Sequence, residues 1–111
     1  MARLPNSERA LLDIRKIEDY CLNPQHPRGR HKARVFRDAL GIGRPDGRWF
    51  RELLLAAAKD TEAIELVSDS FGRRWRLDVP VGRQDRKIMV RSIWMTRPGE
   101  DIPRFVTCWV I

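Results

Sequence analysis

Apolar residues recur at two different periods along this chain. In the first half the spacing is three or four. Leu11, Ile14, Ile17 and Cys21 fall on one face of a helix that the pattern starts at a cap on Asn6 or Ser7 and carries to about Cys21. Pro24 and Pro27 force an extended turn into Gly29, where a second helix begins. Its Ala33, Phe36 and Leu40 form one arc, and Gly41 and Gly43 close it. Pro45-Asp46-Gly47 makes the next turn. A third helix over roughly Arg48 to Lys59 follows, with Trp49, Phe50, Leu53, Leu54 and Ala56 to Ala58 as a broad apolar surface.

After Asp60 the period shortens to two. Ala63–Val67, Arg73–Val81, Lys87–Thr96 and Arg104–Val110 are rich in β-branched and aromatic residues, and short turn-forming stretches divide them. Connections that short suit hairpins, not crossovers. The expected fold is α+β in a single domain spanning 1–111: three N-terminal helices followed by a four-stranded antiparallel β-meander, with helices on one face of the sheet. The second strand alternates cleanly, Trp75, Leu77, Val79 and Val81 against Arg74, Arg76 and Asp78. In the third, Ile88, Val90, Ser92 and Trp94 oppose Lys87, Met89, Arg91, Ile93 and Met95; in the fourth, Phe105, Thr107 and Trp109 oppose Arg104, Val106, Cys108 and Val110. Apolar residues on both sides mean that the helices do not all lie on one face, or that the open face carries a patch for a partner or a second copy.

Charge adds a second layer to this picture. The net charge is +7, and of 22 basic residues 4 are Lys and the remaining 18 are Arg. Arginine bonds phosphate through a planar fork and stacks on bases; GC-rich coding would produce the same bias. Residues 28–51 carry eight basic and two acidic side chains, residues 52–72 one and five, and residues 73–111 nine and four. Two basic blocks flank an acidic one, as in a fold with a basic groove. Cys21 and Cys108 are the two cysteines, and both read as small buried hydrophobes of a reducing cytoplasm, with a bridge between them as the alternative. The N-terminus has no apolar core of a secretory signal, and no apolar run reaches the length of a membrane span.

Candidate chemistry concentrates on the second helix. On a wheel of 100° per residue, Arg30, Arg34 and Arg37 lie beside the apolar arc, with His31 just beyond, and N–H groups of the first turn add attraction for a phosphate. No zinc spacing, phosphate-cradling glycine loop or nucleophile elbow is present, so neither a metal nor another cofactor is expected. The residues at hand suit metal-free RNA cleavage, in which the 2′-hydroxyl attacks the adjacent phosphate. In that reading His31, Arg34 and Arg91 are the catalytic candidates, and Arg30, Lys32, Arg37, Arg74 and Arg76 bind RNA phosphates. The alternatives are structural: His31 as a hydrogen-bonding surface residue, and Arg91 as the partner of Asp78 on the neighbouring strand.

Three stretches carry a resemblance: Leu22-Asn23-Pro24 with Gly29-Arg30-His31-Lys32-Ala33-Arg34-Val35-Phe36, then Gly72-Arg73-Arg74-Trp75, then Gly99-Glu100-Asp101-Ile102-Pro103-Arg104-Phe105-Val106-Thr107-Cys108. Together they resemble a small bacterial family classed as a domain of unknown function, whose members are often encoded beside another small protein in the manner of toxin–antitoxin modules. The resemblance implies a small cognate protein, such as an antitoxin, as partner. In outline only, helices before a four-stranded sheet are also similar to metal-free ribonuclease toxins such as RelE and the tRNA-cleaving colicins. The expectation is a small basic cytoplasmic protein of toxin–antitoxin type that binds RNA, with metal-independent endoribonuclease activity as its enzymatic form. The alternative is a non-enzymatic module that binds a cognate partner, or a second copy as a homodimer, through its sheet face.

Overall fold

The computed structural model describes residues 2–111. Three helices and a four-stranded antiparallel sheet make an α+β fold. The helices are α1, Ile14–Lys16 continued by a wider turn over Ile17–Cys21, α2, Arg30–Leu40, and α3, Gly47–Asp60. The strands are β1, Ala63–Glu65, β2, Arg73–Arg83, β3, Arg86–Thr96, and β4, Arg104–Val110, paired in the order β1-β2-β3-β4.

The first helix begins only at Ile14, well beyond the start expected from Asn6 or Ser7. Asn6 sits in the left-handed region at φ 56° and its side chain donates to the Asp101 carbonyl at 2.9 Å instead of capping a helix. After a single tight turn at Ser7–Arg9 the chain extends. The Leu11 N–H donates to Pro103 O and its carbonyl accepts from Phe105 N–H, both at 2.9 Å. Those backbone groups pair with the start of β4 and so are lost to a helix; Asp13, accepting from Arg15 N–H, caps α1 instead. Pairing of Ala2 with Ala63 and of Arg3 with Glu62 ties the other end of this segment to β1.

The core lies between the helices and one face of the sheet. Phe36 and Leu40 of α2, Phe50, Leu54 and Ala58 of α3, and Ile17 and Cys21 of α1 pack with Trp75, Leu77, Val79, Val81, Val90, Trp94, Phe105 and Cys108. Phe36 and Phe50 meet edge to face at 5.2 Å, as do Trp94 and Phe105 at 5.4 Å. Ser92 is buried on this face because its hydroxyl donates to Leu77 O at 2.9 Å and accepts from Trp94 Nε1 at 3.0 Å, so neither polar group is left unpaired.

The alternation expected along β4 does not hold to its end. A bulge opposite Ile93 and Trp94 pairs them with Thr107 and Phe105, so Val106 is the extra residue. Beyond it the parity reverses: Cys108 is buried, while Trp109 lies opposite Arg91 and is only half-buried. The β2–β3 turn is also tighter than expected. Gly82 and Arg83 stay in the strand, leaving Gln84 and Asp85 as the turn, with Gln84 at φ 56°. Among the described residues, no helix is long and apolar enough to cross a membrane.

Candidate functional site

Helix α2 is held at its start by an imidazole. His26 Nδ1 accepts from the N–H groups of Arg28 at 3.0 Å and Gly29 at 2.9 Å, and His26 O accepts from Arg30 N–H at 2.9 Å. Nδ1 must therefore be unprotonated, and it fills a place at the helix start where an anion would otherwise accept. The ring is braced edge-on by Tyr20 at 4.9 Å. Gly29 is needed because a Cβ there would strike the Tyr20 carbonyl oxygen. At the other end Gly41 takes the left-handed cap at φ 73°, and Arg86 Nη1 donates to the last-turn carbonyl of Asp38 at 3.2 Å.

Between these ends, Ala33, Phe36 and Leu40 are buried, and Arg30, His31, Arg34, Arg37 and Asp38 are exposed beside them. Arg30 and Arg34 are one turn apart, about 6 Å along the axis. Among the described residues, no carboxylate lies within 4.0 Å of Arg28, Arg30 or Arg34. Arg37 meets Asp38 at 3.6 Å with both side chains about two-thirds exposed, a geometry that leaves its charge largely free. A shallow apolar groove lined by Leu22, Pro24, Ala33, Ile42 and Pro45 runs beside this arc, with Arg37 and Arg44 at its rim. Arg28, in the turn before the helix, adds a third such group beside Arg30 and Arg34; elsewhere Arg3, Arg48, Arg86 and Arg97 likewise have no carboxylate within 4.0 Å among the described residues.

Lys32 leaves this set. It projects from the far side of the apolar arc, donates to Thr107 Oγ1 at 2.7 Å, and lies 4.9 Å from the Tyr20 ring centre and 5.3 Å from that of Trp109. Its charge is spent on joining α2 to α1 and β4.

The sheet arginines occupy another layer. Arg74, Arg76 and Arg91 alternate with the buried Trp75, Leu77, Val90 and Ser92, so they project from the face opposite the helices. There each meets acid. Arg91 clasps Asp78 with two bonds of 2.9 and 3.1 Å, Arg76 reaches the same carboxylate at 3.7 Å, and Arg74 pairs with Asp69. The Arg91 hydrogen bond, helped by the Arg91 and Arg76 charges, holds the Asp78 carboxyl below the usual aspartate range; Asp78 in turn raises the Arg91 guanidinium. Ile64, Met89, Ile93 and Met95 share this open face and are half-buried or exposed.

The positive groups thus divide between two surfaces with the core between them, and the single pocket implied by the two basic blocks of sequence does not form. His31 and Arg34 stand on the helix side, Arg91 on the sheet side. Among the described residues, no group of three or more His, Cys, Asp or Glu is placed to hold a metal ion.

No curated protein and no solved structure matches the chain, so the likeness to RelE and colicin-type ribonucleases gains no support from a named relative. One family model does match, from residue 3 to residue 111, and the chain belongs to that family, DUF6883, a domain of unknown function.

Proposed function

We propose that this chain binds RNA along the sugar–phosphate backbone, using the outer face of α2. The observation that carries the reading is the contrast in pairing: Arg28, Arg30 and Arg34 have no carboxylate within 4.0 Å, whereas Arg74, Arg76 and Arg91 share Asp69 and Asp78. A row of free guanidinium groups on a rigid helix is an electrostatic footprint for a polyanion. The groove between Arg37 and Arg44 adds an apolar surface of nucleobase size at the edge of that row, which favours a strand with unpaired bases over a closed duplex.

Gel retardation of total bacterial RNA in EDTA tests the reading. Retardation that is lost at high salt and in the Arg30→Ala/Arg34→Ala variant supports it; unretarded RNA at low salt removes it. The same lanes report on chemistry. RNA shortened by the intact protein and preserved by His31→Ala/Arg34→Ala extends the reading to metal-free cleavage, with His31 as the proton-transfer group and Arg34 on the phosphate.

A second reading rests on the open sheet face. Ile64, Met89, Ile93 and Met95 form an apolar field around one carboxylate that two guanidinium groups share, a surplus positive charge that suits an apolar partner carrying its own acid. A small cognate protein that binds there is displaced by Ile93→Asp and untouched by the α2 substitutions.

A further inference from the structure

Cys21 ends the wide turn of α1 and Cys108 lies near the end of β4, 87 residues away, yet their sulfur atoms are 3.9 Å apart and both side chains are fully buried. That separation is van der Waals contact, and both sulfurs are reduced. The surroundings are unlike those of two ordinary packing thiols. The Cys108 thiol donates to the Cys21 sulfur, and the Cys21 sulfur faces the Cys108 carbonyl at 3.9 Å. Thr107 Oγ1 and the Lys32 ammonium, 2.7 Å apart and half-buried, are the polar side chains beside Cys108 that act on the Cys21 thiol.

We infer that Cys21 and Cys108 form a reversible dithiol–disulfide site, oxidised by a small peroxide. Cys21 is the attacking sulfur. The Cys108 hydrogen bond is the largest influence lowering its thiol and Lys32 adds to it, whereas burial and the neighbouring Cys21 push Cys108 well up. The Cys21 thiolate attacks one oxygen of hydrogen peroxide, breaking the O–O bond; this forms a sulfenic acid on Cys21 and releases water once the leaving hydroxide takes the proton lost by Cys21. The Cys108 sulfur then attacks Cys21, expelling hydroxide, which takes the Cys108 proton as a second water. Two thiols lose two electrons and two protons, and one peroxide becomes two waters. A thiol reductant reverses the change. The bond ties α1 to β4 and joins positions 87 residues apart, so it restricts the unfolded state strongly.

The test uses the intact folded chain with hydrogen peroxide. Free thiols are counted by alkylation and the cysteine peptides are mapped, so that sulfoxide at the exposed Met89 does not enter the count. The expected result is joint loss of both thiols, a Cys21–Cys108 cross-linked peptide in monomeric protein, a thermal midpoint raised by about 10 °C, and return to the starting state with dithiothreitol. Lys32→Gln is expected to slow thiol loss severalfold at neutral pH without preventing it. Retention of both thiols under peroxide that oxidises the urea-unfolded chain overturns the inference. So does sulfinic acid on one cysteine alone, or a cross-link only between two chains. Cys108→Ser provides an independent check: Cys21 alone must accumulate the sulfenic acid, trappable by dimedone, and an inert Cys21 in this variant contradicts its role as attacking group.

Discussion

The outer face of α2 and the open face of the sheet are both rich in arginine, and both border apolar side chains. They differ in what stands opposite the charge. On the sheet, every second residue of β2 and β3 faces the same way, so Asp78 falls opposite Arg91 by register and one residue pair along from Arg76; the guanidinium groups become part of the sheet's own structure. On α2, residues three and four apart are neighbours, and the neighbours of Arg30 are Arg34 and Ala33, so nothing on the helix neutralises it. The difference teaches that arginine counts say little about anion binding until the carboxylates are placed. An arginine whose partner is built into the register stabilises the fold, and one without a partner is available to a ligand.

Substitutions can break that contrast from either side. The largest expected effect is on the helix: Arg30→Ala with Arg34→Ala should lower RNA affinity about five- to tenfold per arginine near 0.1 M salt. Both side chains are exposed, so the urea midpoint should stay within about 0.5 kcal/mol of the parent. On the sheet the order reverses. Asp78→Ala strands Arg76 and Arg91, each about 30% exposed, and should cost roughly 1–2 kcal/mol in urea unfolding while RNA binding is unchanged or stronger. His26→Ala removes the acceptor for two amides at the start of α2 and should cost about 1 kcal/mol, with loss of protection from hydrogen exchange in the first turn of that helix.

Acid should act on the Asp78 cluster of the sheet face, as on the other carboxylates held low by arginine, Asp13, Glu65 and Asp69. The Asp78 carboxyl is lowered by its partners, so its contribution to stability is present above the unfolded aspartate value near 3.9 and is lost as pH falls through the lower folded value. Unfolding midpoints are expected to be flat from pH 7 to about 5 and to drop below about 4, and in Asp78→Ala that drop should be shallower. The smallest effect belongs to Arg37 and Asp38, whose pair is 3.6 Å long and open to solvent; Asp38→Ala should change stability by no more than about 0.5 kcal/mol.

Much of the fold is legible in local pattern. The strict alternation of β2 assigns Trp75, Leu77, Val79 and Val81 to the core, and the arc of Ala33, Phe36 and Leu40 orients α2. Asp78 as the partner of Arg91 also follows from neighbouring strands. What escapes is non-local. Leu11 leaves its helical pattern because Pro103 and Phe105 offer backbone partners 92 and 94 residues on. The extra residue at Val106 reverses the end of β4, and nothing in Phe-Val-Thr-Cys-Trp marks it. The two basic blocks suggest one site because a charge count along the chain does not say which layer each block enters. Lys32 reads as a phosphate ligand from its neighbours in sequence, whereas its wheel position, 160° from Arg34, already sets it apart from the free arginines.

The most direct measurement is the salt dependence of RNA binding by three forms of the chain: the parent, Arg30→Ala/Arg34→Ala, and Arg74→Ala. If α2 is the anion surface, the slope of log affinity against log salt becomes shallower by about 1.4–1.8 in the helix variant and stays at the parental value in the sheet variant. A slope unchanged by the helix substitutions, or one reduced by Arg74→Ala instead, would contradict the assignment of the phosphate contacts to α2.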